Sequence, residues 1–371
     1  GNYGYNAIDV ANYETINLDS KQSTDGATKS GRVKTLTATS AKSVVVTGDA
    51  ELTITSITGG AMTSFDASAV TAKVTTTFAT DDKITAKAAT KDTTFNFGST
   101  LNNSDTVVGG AGILDEVTAT MTGRTVESGK LNISAVETLD IDTTGANTLD
   151  LTNVTGLKNL ELAGNTQTIT GFDLVTTTVV SDEAATSVKL TAADSTGSSD
   201  VLKLKTKLDA ADFTNTVEAK GIETLAITTT DSSAHGTNRT ATYALTKFEG
   251  TTVTATEATT SSDNSKIILG TLHKNVVTVD TSGMGDTQDF SVANATSAAT
   301  LTLGGKGVAT VTATGYADTI TIKETGAIIH AITGGAGTDT VNITVNENWV
   351  DPSAINAENV NVSVVAGKDV S

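Results

Sequence analysis

A short phrase recurs along this chain: an apolar residue, two polar residues, then alternating apolar and polar positions. Copies begin at positions 13, 33, 136, 157 and 222, with a weaker copy at 357. The copies at 13 and 33 are neighbours, as are those at 136 and 157, and the two pairs have nearly the same spacing. A period of about 20 residues is typical of one coil of a β-solenoid, whose strands stack on those of the next coil.

The end of each phrase alternates apolar and polar residues, which is the period of a strand with one buried face. Further strand-length runs bounded by turn-forming residues lie between the copies. We therefore predict an all-β chain of elongated parallel β-solenoid or β-roll coils. A β-sandwich, whose strands also recur at short intervals, is the alternative for part of the chain. The expected regions are 1–240, with the recurring phrases, and 241–371, with nonapeptide-like turns.

The composition favours a thin core. Only 4% of residues are aromatic, whereas Thr and Val are abundant and favour extended backbone. The charged fraction of 18% and the regular apolar alternation argue against disorder.

The formal net charge of −18 limits the partners that this chain can bind. It disfavours nucleic acid, which requires cationic side chains to replace counterions, and it disfavours anionic lipid headgroups. No stretch is apolar enough to insert into a membrane. Carboxylate oxygens are ligands suited to Ca²⁺, so a divalent cation is the partner that an acidic surface favours.

The chain has no cysteine, and no N-terminal apolar run resembles a signal peptide. We expect any export signal to lie elsewhere in a longer precursor or in an uncleaved C-terminal segment. Because the first residue is not Met, the chain is interpreted as an excerpt or a mature product.

One motif carries chemistry. Residues 334–342 match the nonapeptide G-G-x-G-x-D-x-U-x at every specified position, with Gly335, Gly337 and Asp339 in the turn. Residues 313–321 form a partial unit that keeps Asp318, whereas 304–312 has Ala309 where the carboxylate belongs. In such a turn, carbonyl and carboxylate oxygens face a cation, and a complete site needs a second stacked turn.

A second glycine cluster occupies residues 109–112 and includes Gly110 and Gly112. Leu114 stands in its carboxylate position and Asp115 is displaced by one residue, while Asp105 stands where the preceding unit's carboxylate belongs. Two interpretations stay open for both clusters: bound Ca²⁺, or solenoid turns with solvated carboxylates.

These motifs and the recurrent Glu-Thr-Leu phrases resemble the RTX-type bacterial surface-layer proteins, which are exported by type I secretion and assemble into a calcium-dependent lattice outside the cell. The resemblance in general strand and turn pattern covers most of the chain, whereas specific motifs match over only a few dozen residues. It implies calcium ligation by Asp105, Asp115, Asp318 and Asp339. It also implies self-association on the bacterial cell surface, with cell-surface polysaccharide as a further candidate partner.

Other constellations offer little chemistry. The three histidines, His235, His273 and His330, are far apart in sequence and share no metal-ligand or triad spacing. A carbohydrate-cleaving groove needs clustered acidic and aromatic side chains. The sequence offers only the acidic pair at 81–82 and the single Trp349 beside Asp351, which do not form such a cluster.

We therefore expect a non-enzymatic structural subunit of an extracellular layer. A secreted RTX-type adhesin or filament segment is the alternative, and a carbohydrate-active β-helix enzyme is the third hypothesis.

Overall fold

The fold is described from a computed structural model of the chain. It describes residues 4–5, 7–22, 30–80, 83–121, 130–164, 167–182, 187–208, 212–231, 239–258, 265–305, 309–324, 330–345 and 354–365. The chain divides into two compact units, Gly1–Thr177 and Thr178–Ser371. The division predicted at residue 240 stays a prediction.

In unit 1, the strands form two parallel sheets and a separate two-stranded pair. Sheet A1 contains β1 (Gly4–Tyr5), β2 (Ile8–Asp9), β4 (Gly31–Val33), β5 (Leu36–Thr37), β7 (Leu52–Thr58), β9 (Val74–Phe78), β11 (Thr93–Gly98), β13 (Glu116–Met121), β15 (Thr138–Thr143) and β17 (Asn159–Gly164). Sheet B contains β3 (Thr15–Ser20), β6 (Ser43–Gly48), β8 (Ser64–Val70), β10 (Thr85–Lys87), β12 (Thr106–Val108) and β14 (Asn132–Ser134). Strands β16 (Asn147–Asp150) and β18 (Gln167–Phe172) form the pair.

In unit 2, successive strands along the chain belong in turn to two parallel sheets. Sheet A2 contains β19 (Thr178–Asp182), β21 (Val201–Lys207), β23 (Thr224–Thr230), β25 (Thr252–Glu257), β27 (Thr278–Gly283), β29 (Thr300–Gly305), β31 (Thr319–Glu324), β33 (Thr340–Val345) and β35 (Asn359–Val364). Sheet C contains β20 (Val188–Ala192), β22 (Phe213–Ala219), β24 (Thr240–Phe248), β26 (Lys266–Thr271), β28 (Gln288–Ser291), β30 (Ala309–Thr312), β32 (His330–Thr333) and β34 (Ile355–Asn356).

Successive coils contribute strands in turn to an A sheet and to the sheet opposite it. Register partners lie one coil apart: Val74 faces Thr93 in unit 1, and Thr224 faces Thr252 in unit 2. The second of these coils is the longer, so coil length is not constant. Among the described strands, every pairing within either unit is parallel. The predicted all-β parallel β-solenoid is thus confirmed, and the described strands do not form the sandwich alternative.

The recurring phrases do not all stack as their spacing suggests. The copies at 136 and 157 lie in adjacent coils, where Leu139 faces Leu160 and Ile141 faces Leu162. The copies at 13 and 33 belong to different sheets, because β3 pairs with β6 whereas β4 pairs with β7. The spacing of these two copies is therefore not a coil length, and Thr15 instead faces Ser43.

The core of each unit lies between its sheets and is filled by the alternate inward residues. All eight phenylalanines are buried. Four of them, Phe65, Phe78, Phe95 and Phe97, form a cluster in unit 1, with ring centroids 4.8 Å apart for Phe78 and Phe97. The phenylalanines are thus concentrated in the core, where adjacent coils pack.

Some sequence features lie outside the described residues. They are His235, Trp349, Asp351, the acidic pair at 81–82 and part of the unit at 304–312. Within the described ranges, no helix has the length and hydropathy needed to cross a bilayer.

Candidate functional site

Three of the four predicted carboxylates, Asp115, Asp318 and Asp339, lie at one register position, the residue that precedes an A-sheet strand. In unit 2, Asp318 and Asp339 precede β31 and β33, and Glu358 precedes β35. In unit 1, Asp115 precedes β13 and Glu137 precedes β15. Parallel stacking in register brings these acids from successive coils together in two short columns.

Asp318 is held entirely by hydrogen bonds. It is 1% exposed, and its Oδ1 accepts the backbone N–H of Ala299 from the preceding coil at 2.6 Å. Its Oδ2 accepts the N–H of Thr314 in its own turn at 2.8 Å, and the Thr314 hydroxyl lies 2.7 Å from Oδ1. Buried carboxylates are tolerated when N–H and O–H donors replace their hydration.

The same contact repeats in the next coils. Asp318 donates its own N–H to Oδ1 of Asp339 at 2.9 Å, and Asp339 donates its N–H to Oε2 of Glu358 at 2.8 Å. This N–H bond to Glu358 lowers the pKa of that carboxyl group. An acid in each of these three coils therefore satisfies the backbone donor at the equivalent position of the coil before it.

Unit 1 contains a second copy of this arrangement. Asp115 is 1% exposed and accepts the N–H groups of Thr93, at 2.7 Å, and Gly110, at 2.6 Å. Its own N–H is donated to Oε2 of Glu137 at 2.9 Å. Burial raises the pKa of Asp115, with Glu137 adding to the rise, while the two N–H bonds oppose it. We call the residues Asp115, Glu137, Asp318, Asp339 and Glu358 the acid ladder.

Asp105 has a similar role on the opposite sheet. It is 2% exposed, and its carboxylate accepts the N–H of Ile84 at 2.9 Å and the N–H of Asn102 at 2.8 Å. Ile84 belongs to the preceding coil, which is joined through β10 and β12. Asp105 and Asp115, predicted together from one cluster, thus have separate sets of partners.

The predicted glycines lie where neighbouring coils approach each other closely. A Cβ at Gly110 would overlap the carbonyl oxygen of Ala89, and one at Gly112 would lie 2.8 Å from the backbone nitrogen of Asp92. A Cβ at Gly335 would overlap the carbonyl oxygen of Thr314, and one at Gly337 would lie 2.6 Å from the carbonyl of Tyr316. Gly335 also has φ +101°, a conformation that favours glycine.

An additional exposed residue in the turn accommodates the one-residue displacement of Asp115. Ile113 and Leu114 are 70% and 63% exposed, so the turn is longer by one outward residue. Their N–H groups approach Oδ1 of Asp92 at 3.2 and 3.3 Å. Asp115 can therefore occupy the buried position despite the departure from the nonapeptide pattern.

Sequence reasoning missed the glutamates of the recurring phrase. Glu137, Glu223 and Glu358 stand at its second position, and each accepts the N–H of an aspartate in the preceding coil. For Glu223 the donor is Asp200, at 2.9 Å, which the motif analysis did not identify either. The Glu that recurs in the phrase is the available signal, but the pattern identifies it only as one of two polar residues.

These contacts bear on whether the aspartates fit calcium. Both oxygens of Asp105, Asp115 and Asp318 already accept N–H groups, which fits hydrogen bonding between coils better than ligation. Asp339 differs, because its buried Oδ2 has no hydrogen-bond partner among the described residues and lies beside Gly334. Across the described part of the chain, no group of three or more His, Asp or Glu side chains is placed to hold a metal ion. Calcium ligation by the four aspartates stays a prediction.

Another carboxylate is held inside unit 2. Glu257, at the end of β25, is half-buried and accepts the N–H of Ser265 and, at 3.0 Å, the N–H of Gly285. Burial raises the pKa of Glu257, and the neighbouring Asp286 adds to the rise, while the N–H bonds oppose it.

We expect Glu257→Gln to change how stability depends on pH. A carboxyl group whose pKa is raised by folding contributes stability below its unfolded pKa, and loses it as the pH rises through its folded-state pKa. The wild type should thus gain unfolding free energy relative to the variant as the pH falls from neutral to 4.5. Urea denaturation at both pH values measures it, with the exposed Glu249→Gln as the control. A difference that stays constant would contradict the assignment.

In comparisons with known proteins, no family model and no curated protein matches the chain.

Proposed function

We propose that this chain is a structural, non-catalytic subunit of an extracellular bacterial surface layer, secreted and assembled with other copies of itself. The resemblance of its turns and phrases to RTX-type surface-layer proteins supports this proposal. The β-solenoid supports it as well, because stacked coils provide long, regular side surfaces for repeated contacts.

The use of the acidic side chains is the observation that carries the proposal. A catalytic or ligand-binding carboxylate must present an oxygen to its substrate. Asp105, Asp115 and Asp318 instead direct both oxygens at backbone N–H groups and are at most 2% exposed. The residues with the strongest chemical signature in the sequence therefore maintain the scaffold.

We propose that calcium acts mainly between copies. Ca²⁺ takes six to eight oxygen ligands, whereas the buried oxygen without a partner in the described ladder is Oδ2 of Asp339 alone. The net charge of −18 makes copies repel one another, and divalent cations at surface carboxylates would reduce that repulsion.

Electron microscopy of the purified chain with Ca²⁺ and with excess chelator tests this function. We expect ordered two-dimensional arrays with Ca²⁺ and, in chelator, dispersed single chains or pairs of chains. Arrays that persist in chelator would remove the calcium part of the proposal. Dispersed particles in both conditions, together with binding to a foreign surface, would favour the adhesin alternative.

A further inference from the structure

The outer face of sheet A2 has an unusual composition. Six consecutive strands of the sheet, from β23 to β33, present eighteen outward side chains, and thirteen of these are threonine. We call this surface the threonine face; its threonines are Thr224, Thr228, Thr230, Thr252, Thr254, Thr256, Thr278, Thr300, Thr302, Thr319, Thr321, Thr340 and Thr344.

Six of these threonines form one column in strand register. Each faces the next across the sheet in the order Thr224, Thr252, Thr278, Thr300, Thr319, Thr340. Neighbouring strands lie about 4.8 Å apart, so the hydroxyl and methyl groups repeat at that distance. β-Branched side chains are restricted at χ1, which keeps such a column rigid and lowers the entropy cost of a contact.

The face is almost uncharged. Its charged side chains, among those the structure describes, are Asp280 and Lys323, of opposite sign. The outer face of sheet A1, by contrast, carries Asp140, Asp142 and Glu161 on β15 and β17. In a chain with a net charge of −18, the threonine face is a surface on which two copies can approach without strong repulsion.

We propose that the threonine face is a contact between copies, in which two chains pack this face against each other. This inference rests on the proposed self-assembly and assigns a surface to it. A hydroxyl group both donates and accepts hydrogen bonds, so a threonine array is complementary to itself, which an array of lysines or carboxylates is not. The second copy also has the same repeat of about 4.8 Å, so columns in the two copies stay matched along their length.

The size of the face suits one contact among several. Six strands about 4.8 Å apart and about five residues wide cover roughly 500 Å² on each copy. The pair then buries about 1,000 Å², the lower limit for a specific interface. Such a contact is weak alone and becomes effective when each subunit makes others in an array.

Opposite charges introduced on the face test the proposal. Thr300 and Thr319 are exposed and adjacent in the column. We expect Thr300→Glu with Thr319→Glu to weaken self-association at least tenfold in sedimentation equilibrium, run in chelator to remove calcium bridging. Thr300→Lys with Thr319→Lys should weaken it equally, because like charges repel whichever sign they have. An equimolar mixture of the two variants should associate again.

Thr310→Glu with Ala331→Glu is the matched control. These residues are also exposed and in register on adjacent coils, but they lie on sheet C. The control should self-associate like the wild type, and circular dichroism should show that all variants are folded.

The outcomes separate this inference from the proposed function. If the wild type and both face variants form the same arrays, the threonine face is not the contact and the proposed function stands. If the wild type stays monomeric in every condition, both fail. A wild type that is monomeric but binds insoluble polysaccharide, with the Glu variant losing that binding, would overturn self-packing in favour of a glycan surface.

Discussion

Replacing Asp318 by alanine should lower the free energy of unfolding by about 3–5 kcal/mol, because it leaves the buried N–H groups of Ala299 and Thr314 without acceptors. Asp318→Asn keeps one acceptor oxygen and should cost less. The control Asp289→Ala removes an outward carboxylate from β28 and should stay within about 0.5 kcal/mol. Urea denaturation measures the totals. Hydrogen exchange at Ala299 and Thr314 should show the loss locally, because coils contact mainly their neighbours.

The same variant distinguishes hydrogen bonding from calcium ligation at this position. If Asp318 acts through N–H acceptance, the penalty is equal in calcium and in chelator. If it binds Ca²⁺ in the folded state, calcium at a hundredfold excess over its Kd adds about 2.7 kcal/mol to the wild type, and chelator removes that amount. A wild type that becomes as unstable as Asp318→Ala in chelator would therefore establish the calcium role and refute the structural one.

Gly110→Ala should destabilise unit 1 by about 3 kcal/mol, the upper end for an inserted methyl group in a packed site. The added Cβ would overlap the carbonyl oxygen of Ala89, so the two coils would have to separate there. That separation would also weaken the 2.6 Å bond from the Gly110 N–H to Asp115.

Gly60→Ala is the control for this substitution, since a Cβ at Gly60 would meet no atom within 4 Å. It should be neutral or slightly stabilising, because alanine restricts the unfolded chain. Equal denaturation midpoints for the two variants would show that the coil interface at Gly110 can relax.

The fold could be predicted because alternation of apolar and polar residues reports directly which face of a strand is buried. Leu139 and Ile141, predicted as inward, are both fully buried and stack on Leu160 and Leu162 of the next coil. Coil length was less predictable. Thr15 pairs with Ser43 whereas Val74 pairs with Thr93, so the two coils differ in length, and residues added between strands need not change the buried pattern.

The candidate site could be predicted in position but not in contacts. The motif located Asp115, Asp318 and Asp339, and all three lie buried at the entry to an A-sheet strand. The hydrogen-bond partner of each carboxylate lies in a neighbouring coil. Because that coil is distant in sequence, no local pattern predicts the partner. The sequence does not single out Glu137 and Glu358, because a glutamate between an apolar and a polar residue is usually a solvated surface residue.

The acid ladder also has a direction. In each of its contacts between coils, the N–H donor lies in the earlier coil and the carboxylate acceptor lies in the later one. A coil made first therefore keeps an unsatisfied donor at this position until its successor folds against it. For a chain that emerges N-terminus first, we expect each new coil to supply the missing acceptor to the coil before it, so that the coils fold in the order of synthesis.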